Sequence, residues 1–120
     1  MKGPYIIVVD FDDTLALYDD SRSAENIPFA KPNIELINKL NMLNNKGVEI
    51  HIYTSRGHYS AKNRDDADSK YRDVIVNWLT KHNVQYTLLS FKKQYATYYI
   101  DDKAMRPDEL HLLEGLIWLE

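Results

Sequence analysis

The chain is organised around the segment Tyr5-Ile6-Ile7-Val8-Val9-Asp10-Phe11-Asp12-Asp13-Thr14-Leu15, in which an apolar, β-branched run passes directly into three carboxylates. The run predicts a strand over 5–9 that is buried on both faces. Side chains two residues apart on extended chain point the same way, so Asp10 and Asp12 can converge just beyond the sheet edge. Carboxylates held together repel unless a cation or a proton lies between them, and oxygen ligands suit Mg2+. A simple Asx-turn that caps the next helix is the alternative.

Length and composition limit the classes of protein that this chain can form. Its 120 residues match the size of one domain, which predicts a single domain over 1–120. A net charge of -3 without a basic run argues against nucleic acid as a partner. The absence of cysteine excludes disulfides, thiolate catalysis and Cys-ligated zinc. No apolar stretch has membrane-spanning length and no signal-peptide pattern is present, so we expect a cytoplasmic protein with no membrane partner.

Hydrophobic periodicity predicts three more strands, over 48–53, 84–89 and 96–100. A polar stretch over 16–30 predicts an irregular excursion or a small hairpin. The first helix is expected to have Pro32 in its first turn, to end near Gly47, and to bury Ile34, Ile37, Leu40 and either Met42 or Leu43.

Two further helices are predicted between and after these strands. Acidic residues near Arg64 favour a helix start, and the strongest helical spacing in the chain follows it: Tyr71, Val74, Ile75, Trp78 and Leu79. This spacing predicts that Trp78 is a core residue. A last helix is expected over 107–119, although Gly115 can interrupt it.

Strands that alternate with helices predict an α/β three-layer sandwich with a mostly parallel, Rossmann-like sheet. Right-handed crossovers place the carboxyl ends of its strands along one edge, where ligands of open α/β sheets bind. The polar residues at or near these ends are therefore expected to form one pocket: Asp10, Asp12, Thr54, Lys93, Asp101 and Asp102.

This set of residues, in this order, resembles the motifs of the haloacid dehalogenase-like (HAD) phosphatases, and the resemblance covers nearly the whole chain. In that superfamily a strand ending in Asp-x-Asp-x-Thr is followed by a strand ending in Thr or Ser, then by a Lys, then by a strand ending in paired acids. The matching residues here are Asp10 to Thr14, Thr54, Lys93 and Ile100-Asp101-Asp102.

The resemblance implies a phosphoric monoester hydrolase with Mg2+ as its cofactor. Asp10 would be the nucleophile that forms an aspartyl-phosphate, and Asp12 the general acid and base. Thr54 would donate its hydroxyl to the phosphoryl group, and Lys93 would neutralise charge on that group and on Asp10. The metal would be held by Asp10, by the main-chain oxygen of Asp12, and by Asp101 with support from Asp102.

The residues around these motifs leave several assignments open. Lys92, the neighbouring residue, is a rival to Lys93. Lys93 is preferred, because related sequences often have Gly-Lys-Pro at a similar distance before Ile-Asp-Asp, with Lys92 and Gln94 here in place of the Gly and the Pro. Ser55 and Arg56 follow Thr54 and are predicted to help bind the substrate. Arg56 and His58 can contact its leaving group or form an exposed loop face instead.

His51 lies inside the second predicted strand. We expect it to be a partly buried strand residue rather than a metal ligand.

The short connections leave no room for a large cap domain, so the chain resembles capless members of the superfamily. Such members accept large or protein-bound phosphates, or close their sites by oligomerising. The resemblance therefore leaves open whether this chain forms a homo-oligomer. The small size and the Ile100-Asp101-Asp102-Lys103-Ala104 ending resemble short phosphatases of capsule or surface polysaccharide biosynthesis, which implies a sugar phosphate. The alternatives are a nucleotide or polynucleotide-end phosphatase, and a catalytically silent phosphate- or metal-binding protein on the same fold.

Overall fold

Parallel strands form the central sheet of the computed structural model, which describes residues 5–19, 21–57, 60–92 and 98–100. In chain order the strands of these ranges are β1 (Ile6–Asp10), β2 (Ala16–Leu17), β3 (Lys31–Pro32), β4 (Glu49–Tyr53), β5 (Leu88–Ser90) and β6 (Tyr98–Ile100). The sheet has the order β5-β4-β1-β6, and each pairing in it is parallel. The predicted α/β fold with a mostly parallel, Rossmann-like sheet is therefore confirmed.

Two α-helices connect these strands, α1 (Ile34–Asn45) and α2 (Arg64–Lys81). Both contribute to the hydrophobic cluster that contains Ile7 and Val9 of β1, so both pack on the same face of the sheet. Val8 and His51 point to the opposite face and are also buried, which confirms that β1 is covered on both faces. The helix predicted over 107–119, which would provide a third layer, lies outside the described residues.

The excursion between β1 and α1 is a small folded unit rather than an irregular loop. Its strands β2 and β3 form an antiparallel ribbon, with Ala16 opposite Pro32. Between them lies a 3-10 helix, Ala24–Phe29, whose Ile27 is fully buried. The ribbon matches the predicted small hairpin, and the 3-10 helix was not predicted.

The start of α1 differs from the prediction. Pro32 belongs to β3, where an edge position tolerates its missing N–H, and the helix begins at Ile34 after the N-cap Asn33. Asn33 accepts a hydrogen bond from the N–H of Leu36 and donates one from its amide to the main-chain oxygen of Thr14. Ile34, at the margin of the packed face, is 62% exposed, whereas Leu36 and Leu43 are buried.

The C-terminal part of α2 contacts both the sheet and the excursion. Trp78 is buried, as predicted, and its ring meets the ring of Phe11 edge-on with centroids 5.2 Å apart. Its Nε1 donates a hydrogen bond of 3.0 Å to the main-chain oxygen of Ala30, just after the 3-10 helix. One side chain thus connects β1, α2 and the excursion.

The strand predicted over 84–89 is shorter and shifted. Only Leu88–Ser90 pairs with β4, while Val84 is buried without belonging to a strand. Residues 96 and 97 of the strand predicted over 96–100 lie outside the described ranges, and the rest forms β6. Neither α1 nor α2 is long and apolar enough to cross a bilayer, and the described residues contain no other candidate.

Replacing Trp78 with Phe tests the hydrogen bond from Trp78 to the excursion. The aromatic contact with Phe11 is largely kept, but the buried main-chain oxygen of Ala30 loses its donor. We expect the free energy of unfolding to fall by about 2 kcal/mol, measured by urea denaturation followed by circular dichroism. The control Phe29→Leu, at an exposed position, is expected to change it by less than about 0.5 kcal/mol. Equal effects of the two substitutions would contradict this role of Trp78.

Candidate active site

The carboxyl ends of β1 and β4 lie side by side. Asp10, the last residue of β1, is paired with Tyr53, the last residue of β4, and the N–H of Phe11 donates to the main-chain oxygen of Tyr53. Thr54 follows Tyr53, and its N–H donates to the main-chain oxygen of Ser90 at the end of β5. The structure therefore brings Asp10 and Thr54 to the same edge, as the strand-end pattern predicts.

A tight turn after β1 orients the second carboxylate of the motif. The main-chain oxygen of Phe11 accepts hydrogen bonds from the N–H groups of Leu15 and Ala16, both at 3.0 Å. Asp13 has φ 64°, a conformation that Asp tolerates, and its carboxylate pairs with Arg22 at 3.0 Å. Asp13 thus serves the turn, while Asp12 contacts the residues of the site.

Asp12 is held by two side chains from other parts of the chain. Arg56 binds it with two hydrogen bonds, Nη2 to Oδ1 at 2.7 Å and Nε to Oδ2 at 3.2 Å. The hydroxyl of Tyr18 donates to Oδ1 at 2.5 Å. The Arg56 side chain is 10% exposed and that of Asp12 13%, so this is a forked ion pair largely shielded from water.

This environment fixes the protonation of both partners. Burial, with the hydrogen bond to Asp12 and its negative charge, raises the pKa of Tyr18 well above its ordinary value. Burial alone would lower the pKa of Arg56, but the hydrogen bond and charge of Asp12, with Tyr18, outweigh it and raise that pKa. Tyr18 therefore remains a hydrogen-bond donor and Arg56 remains a cation at any ordinary pH.

Thr54 is buried, and its hydroxyl takes part in the loop that follows β4. Its Oγ1 accepts a 3.0 Å hydrogen bond from the N–H of Arg56. A hydroxyl that accepts such a bond can still donate its hydrogen to a ligand. Gly57, three residues after Thr54, has φ 88°, and a Cβ there would lie 2.7 Å from Cβ of Ala67, so only glycine fits.

Arg64, the first residue of α2, fastens this loop to its surroundings. Its Nη2 donates to the main-chain oxygens of Thr54 at 2.9 Å and Arg56 at 3.1 Å, and its Nε donates to that of Phe91 at 2.6 Å. Neither this role nor that of Tyr18 was predicted from the sequence. A cation in the first turn of a helix opposes the macrodipole, which is a signal that Arg64 has a partner elsewhere.

The structure describes only some of the other residues that were predicted for the site. The ammonium of Lys92 pairs with Asp65 of α2 at 3.5 Å, at an exposed position. Lys93, His58, Asp101 and Asp102 lie outside the described residues, so their predicted roles stay predictions. Ser55 is exposed, and its main-chain oxygen accepts from Arg64 at 3.4 Å.

The described ranges contain only part of the predicted metal site. They include Asp10 and Asp12 but no group of three potential ligands among His, Cys, Asp and Glu. His51 is buried in β4, and its Nε2 lies 3.0 Å from a carboxylate oxygen of Glu49, in agreement with a role as a strand residue. Ile100, which precedes Asp101 in the sequence, is paired with Val9, which precedes Asp10.

Comparison with solved structures shows where this fold occurs. The chain is similar to an MCSG target from Vibrio cholerae, with a TM-score of 0.72 and 27% identity over 95% of this chain and 97% of that one. It is also similar to a chain of the Pnkp1/Rnl/Hen1 RNA repair complex, with a TM-score of 0.61 and 17% identity over 95% of this chain and 40% of that one. At 17% identity, this second likeness shows the fold alone. No protein-family model and no curated protein matches the chain.

Replacing Arg64 with Lys tests its role in fixing the loop. A lysine keeps the charge but carries all its donors on one nitrogen, so it cannot reach all four main-chain oxygens that the guanidinium contacts. We therefore expect a loss of about 2 kcal/mol in the free energy of unfolding. Amide hydrogen exchange at 54–57 is expected to accelerate. The matched control Arg22→Lys, at an exposed ion pair, should change stability by less than about 0.5 kcal/mol. Unchanged exchange in Arg64→Lys would contradict this role.

Proposed function

We propose that this protein is a phosphoric monoester hydrolase of the haloacid dehalogenase-like type, acting through a phosphorylated Asp10. The observation that carries the proposal is the pairing of Asp10 with Tyr53, because it sets the first carboxylate of the motif beside Thr54. Asp12 lies in contact with Arg56 of the same loop. A nucleophile, a proton carrier and two phosphate-binding groups therefore come from two adjoining strand ends.

The reaction proceeds in two displacements at phosphorus. A carboxylate oxygen of Asp10 bonds to phosphorus while the bond to the leaving oxygen breaks, and that oxygen takes a proton from Asp12. Water then attacks the phosphorus of the aspartyl-phosphate, and Asp12 accepts its proton. Phosphate leaves, and Asp10 returns to its free carboxylate.

Thr54 and Arg56 bind the phosphoryl oxygens. The hydroxyl oxygen of Thr54 accepts a hydrogen bond from the N–H of Arg56. The hydroxyl hydrogen of Thr54 is therefore left to donate to a phosphoryl oxygen. A guanidinium binds phosphate with the same forked geometry with which Arg56 binds Asp12. A bound phosphoryl group competes for Arg56, so the carboxylate of Asp12 is released to carry its proton when substrate is present.

The donors in the described part of the site fit the expected Mg2+. They are oxygen atoms, which a hard divalent cation prefers. Ile100, the last residue of β6, is paired with Val9, the residue before Asp10. Because Arg56 and Tyr18 engage the carboxylate of Asp12, that residue would contribute its main-chain oxygen, with Asp10, Asp101 and Asp102 as the other ligands. When bound, the metal reduces the repulsion between Asp10 and the anionic substrate.

The substrate class we propose is a sugar phosphate, as the resemblance to polysaccharide-biosynthesis phosphatases implies. The likeness to a chain of an RNA repair complex favours a second candidate, a phosphatase acting on polynucleotide ends. A polynucleotide requires a row of cations along its backbone. In the excursion beside the site, Arg22 pairs with Asp13 and Lys31 pairs with Asp19, which argues for the small substrate.

The nucleophile is tested by comparing Asp10→Asn with Asp13→Asn, the same chemical change three residues along the turn. We expect Asp10→Asn to reduce Mg2+-dependent phosphate release from glycerol 2-phosphate by at least about 10³-fold, because an amide cannot form the acyl-phosphate. Asp13→Asn should keep most of the activity, since Asn also tolerates positive φ. Full turnover by Asp10→Asn would rule out the assignment.

The role of Arg56 is tested by Arg56→Lys. A lysine cannot bind Asp12 and the phosphoryl group with a planar fork, so we expect kcat/KM to fall by about 10²-fold. Circular dichroism verifies that the variant is folded, and Arg22→Lys serves as the control. An unchanged kcat/KM in folded Arg56→Lys protein would show that Arg56 does not take part in the reaction.

A further inference from the structure

A cavity of about 160 Å³ opens on the excursion between β1 and α1. It is small compared with the roughly 300–1,000 Å³ of pockets for drug-sized ligands, so it suits a single ring. Its lining includes Leu17, Tyr18, Asp19, Ser21, Asn26 and Phe29. The residues that line the cavity have no part in the proposed reaction, apart from the contact of Tyr18 with Asp12.

Tyr18 places the cavity next to the reacting groups. Its side chain lines the cavity, and its hydroxyl donates to Oδ1 of Asp12 at 2.5 Å. Asp12 is the group that protonates the leaving oxygen, so the leaving group must extend from the phosphorus past Asp12. A ligand in the cavity therefore contacts a residue that is hydrogen-bonded to the proposed proton donor.

The cavity combines an apolar surface with fixed polar groups. Phe29 is 82% exposed and Leu17 38% exposed, and the described residues include few other large hydrophobic side chains with such exposure. The amide of Asn26 is oriented by its hydrogen bond to the main-chain oxygen of Ser21, and Oγ of Ser21 accepts from the N–H of Ser23. An exposed aromatic ring beside a carboxylate, an amide and a hydroxyl matches the apolar face and the hydroxyl groups of a sugar ring.

The backbone around the cavity is held in position without a ligand. The 3-10 helix Ala24–Phe29 forms one wall, and the bond from Trp78 to the main-chain oxygen of Ala30 holds the end of that helix on α2. Binding therefore requires little ordering of the backbone, which favours affinity.

We propose that this cavity is the leaving-group subsite and that it binds the ring of a monosaccharide phosphate, with the ring against Phe29 and its hydroxyl groups on Asn26 and Asp19. This inference rests on the proposed phosphatase function, since the position of the leaving oxygen comes from that reaction. The paired charges Lys31–Asp19 and Arg22–Asp13 provide no cationic track for a polynucleotide at the same place.

The test compares Phe29→Ala with Ile34→Ala, which truncates another exposed apolar side chain away from this cavity. The substrates are glucose 1-phosphate, glucose 6-phosphate and mannose 1-phosphate, with glycerol 2-phosphate as a substrate without a ring and thymidine 3′-phosphate as a nucleoside substrate. For the best hexose phosphate we expect Phe29→Ala to lower kcat/KM by about 10-fold, mostly through KM. Glycerol 2-phosphate turnover and all activities of Ile34→Ala should stay unchanged.

The outcomes separate this inference from the function on which it rests. Equal effects of Phe29→Ala on hexose phosphates and glycerol 2-phosphate would overturn the subsite while leaving the phosphatase intact. A larger loss for thymidine 3′-phosphate than for the hexose phosphates would also overturn it. If the wild type hydrolyses none of these compounds, the proposed function fails, and amide shifts on titration with the hexose phosphates decide the subsite. Shifts at Leu17, Asn26 and Phe29 that Phe29→Ala abolishes would support it, and none would overturn it.

Discussion

The in-register parallel pairing of β1 with β4 is the constraint on which the site depends. It places Asp10 opposite Tyr53, and therefore sets the acidic turn after β1 beside the loop that starts with Thr54. A shift of one residue would turn every side chain of a strand to the other face, and the burial of Ile7 and Val9 under the helices prevents it. The hydrophobic core thus determines which polar groups meet at the sheet edge.

Charged side chains then fix the two loops that this pairing brings together. Arg56 joins them directly by binding Asp12, and Arg64 holds the main chain of the second loop from the start of α2. Both guanidinium groups bind their partners through donors spread over a rigid plane, a geometry that the single nitrogen of a lysine does not offer. The second loop also requires Gly57, whose backbone approaches Ala67 too closely for a side chain. Preorganisation of the site therefore depends on residues that do not react.

Periodicity and connection rules are sufficient to predict the parallel sheet, the core position of Trp78, and the common location of Asp10 and Thr54, because each follows from local pattern. They fail where contacts between distant parts of the chain determine the local structure. Pro32 is compatible with a helix start and with an edge strand, and only its pairing with Ala16 distinguishes the two. Tyr18 comes from an excursion without periodicity, so its bond to Asp12 could not be inferred. The predicted roles of Lys93, Asp101 and Asp102 stay predictions.

The account makes Asp10 a covalent participant, and direct detection of the aspartyl-phosphate tests this claim most closely. The protein is mixed with a phosphomonoester that it hydrolyses, quenched during turnover, reduced with borohydride and digested for mass spectrometry. Reduction of an acyl-phosphate gives homoserine, so the account predicts homoserine at position 10 and unmodified Asp12 and Asp13. Rapid turnover with the modification at another residue, or with none under conditions that trap a known aspartyl-phosphate, would contradict it.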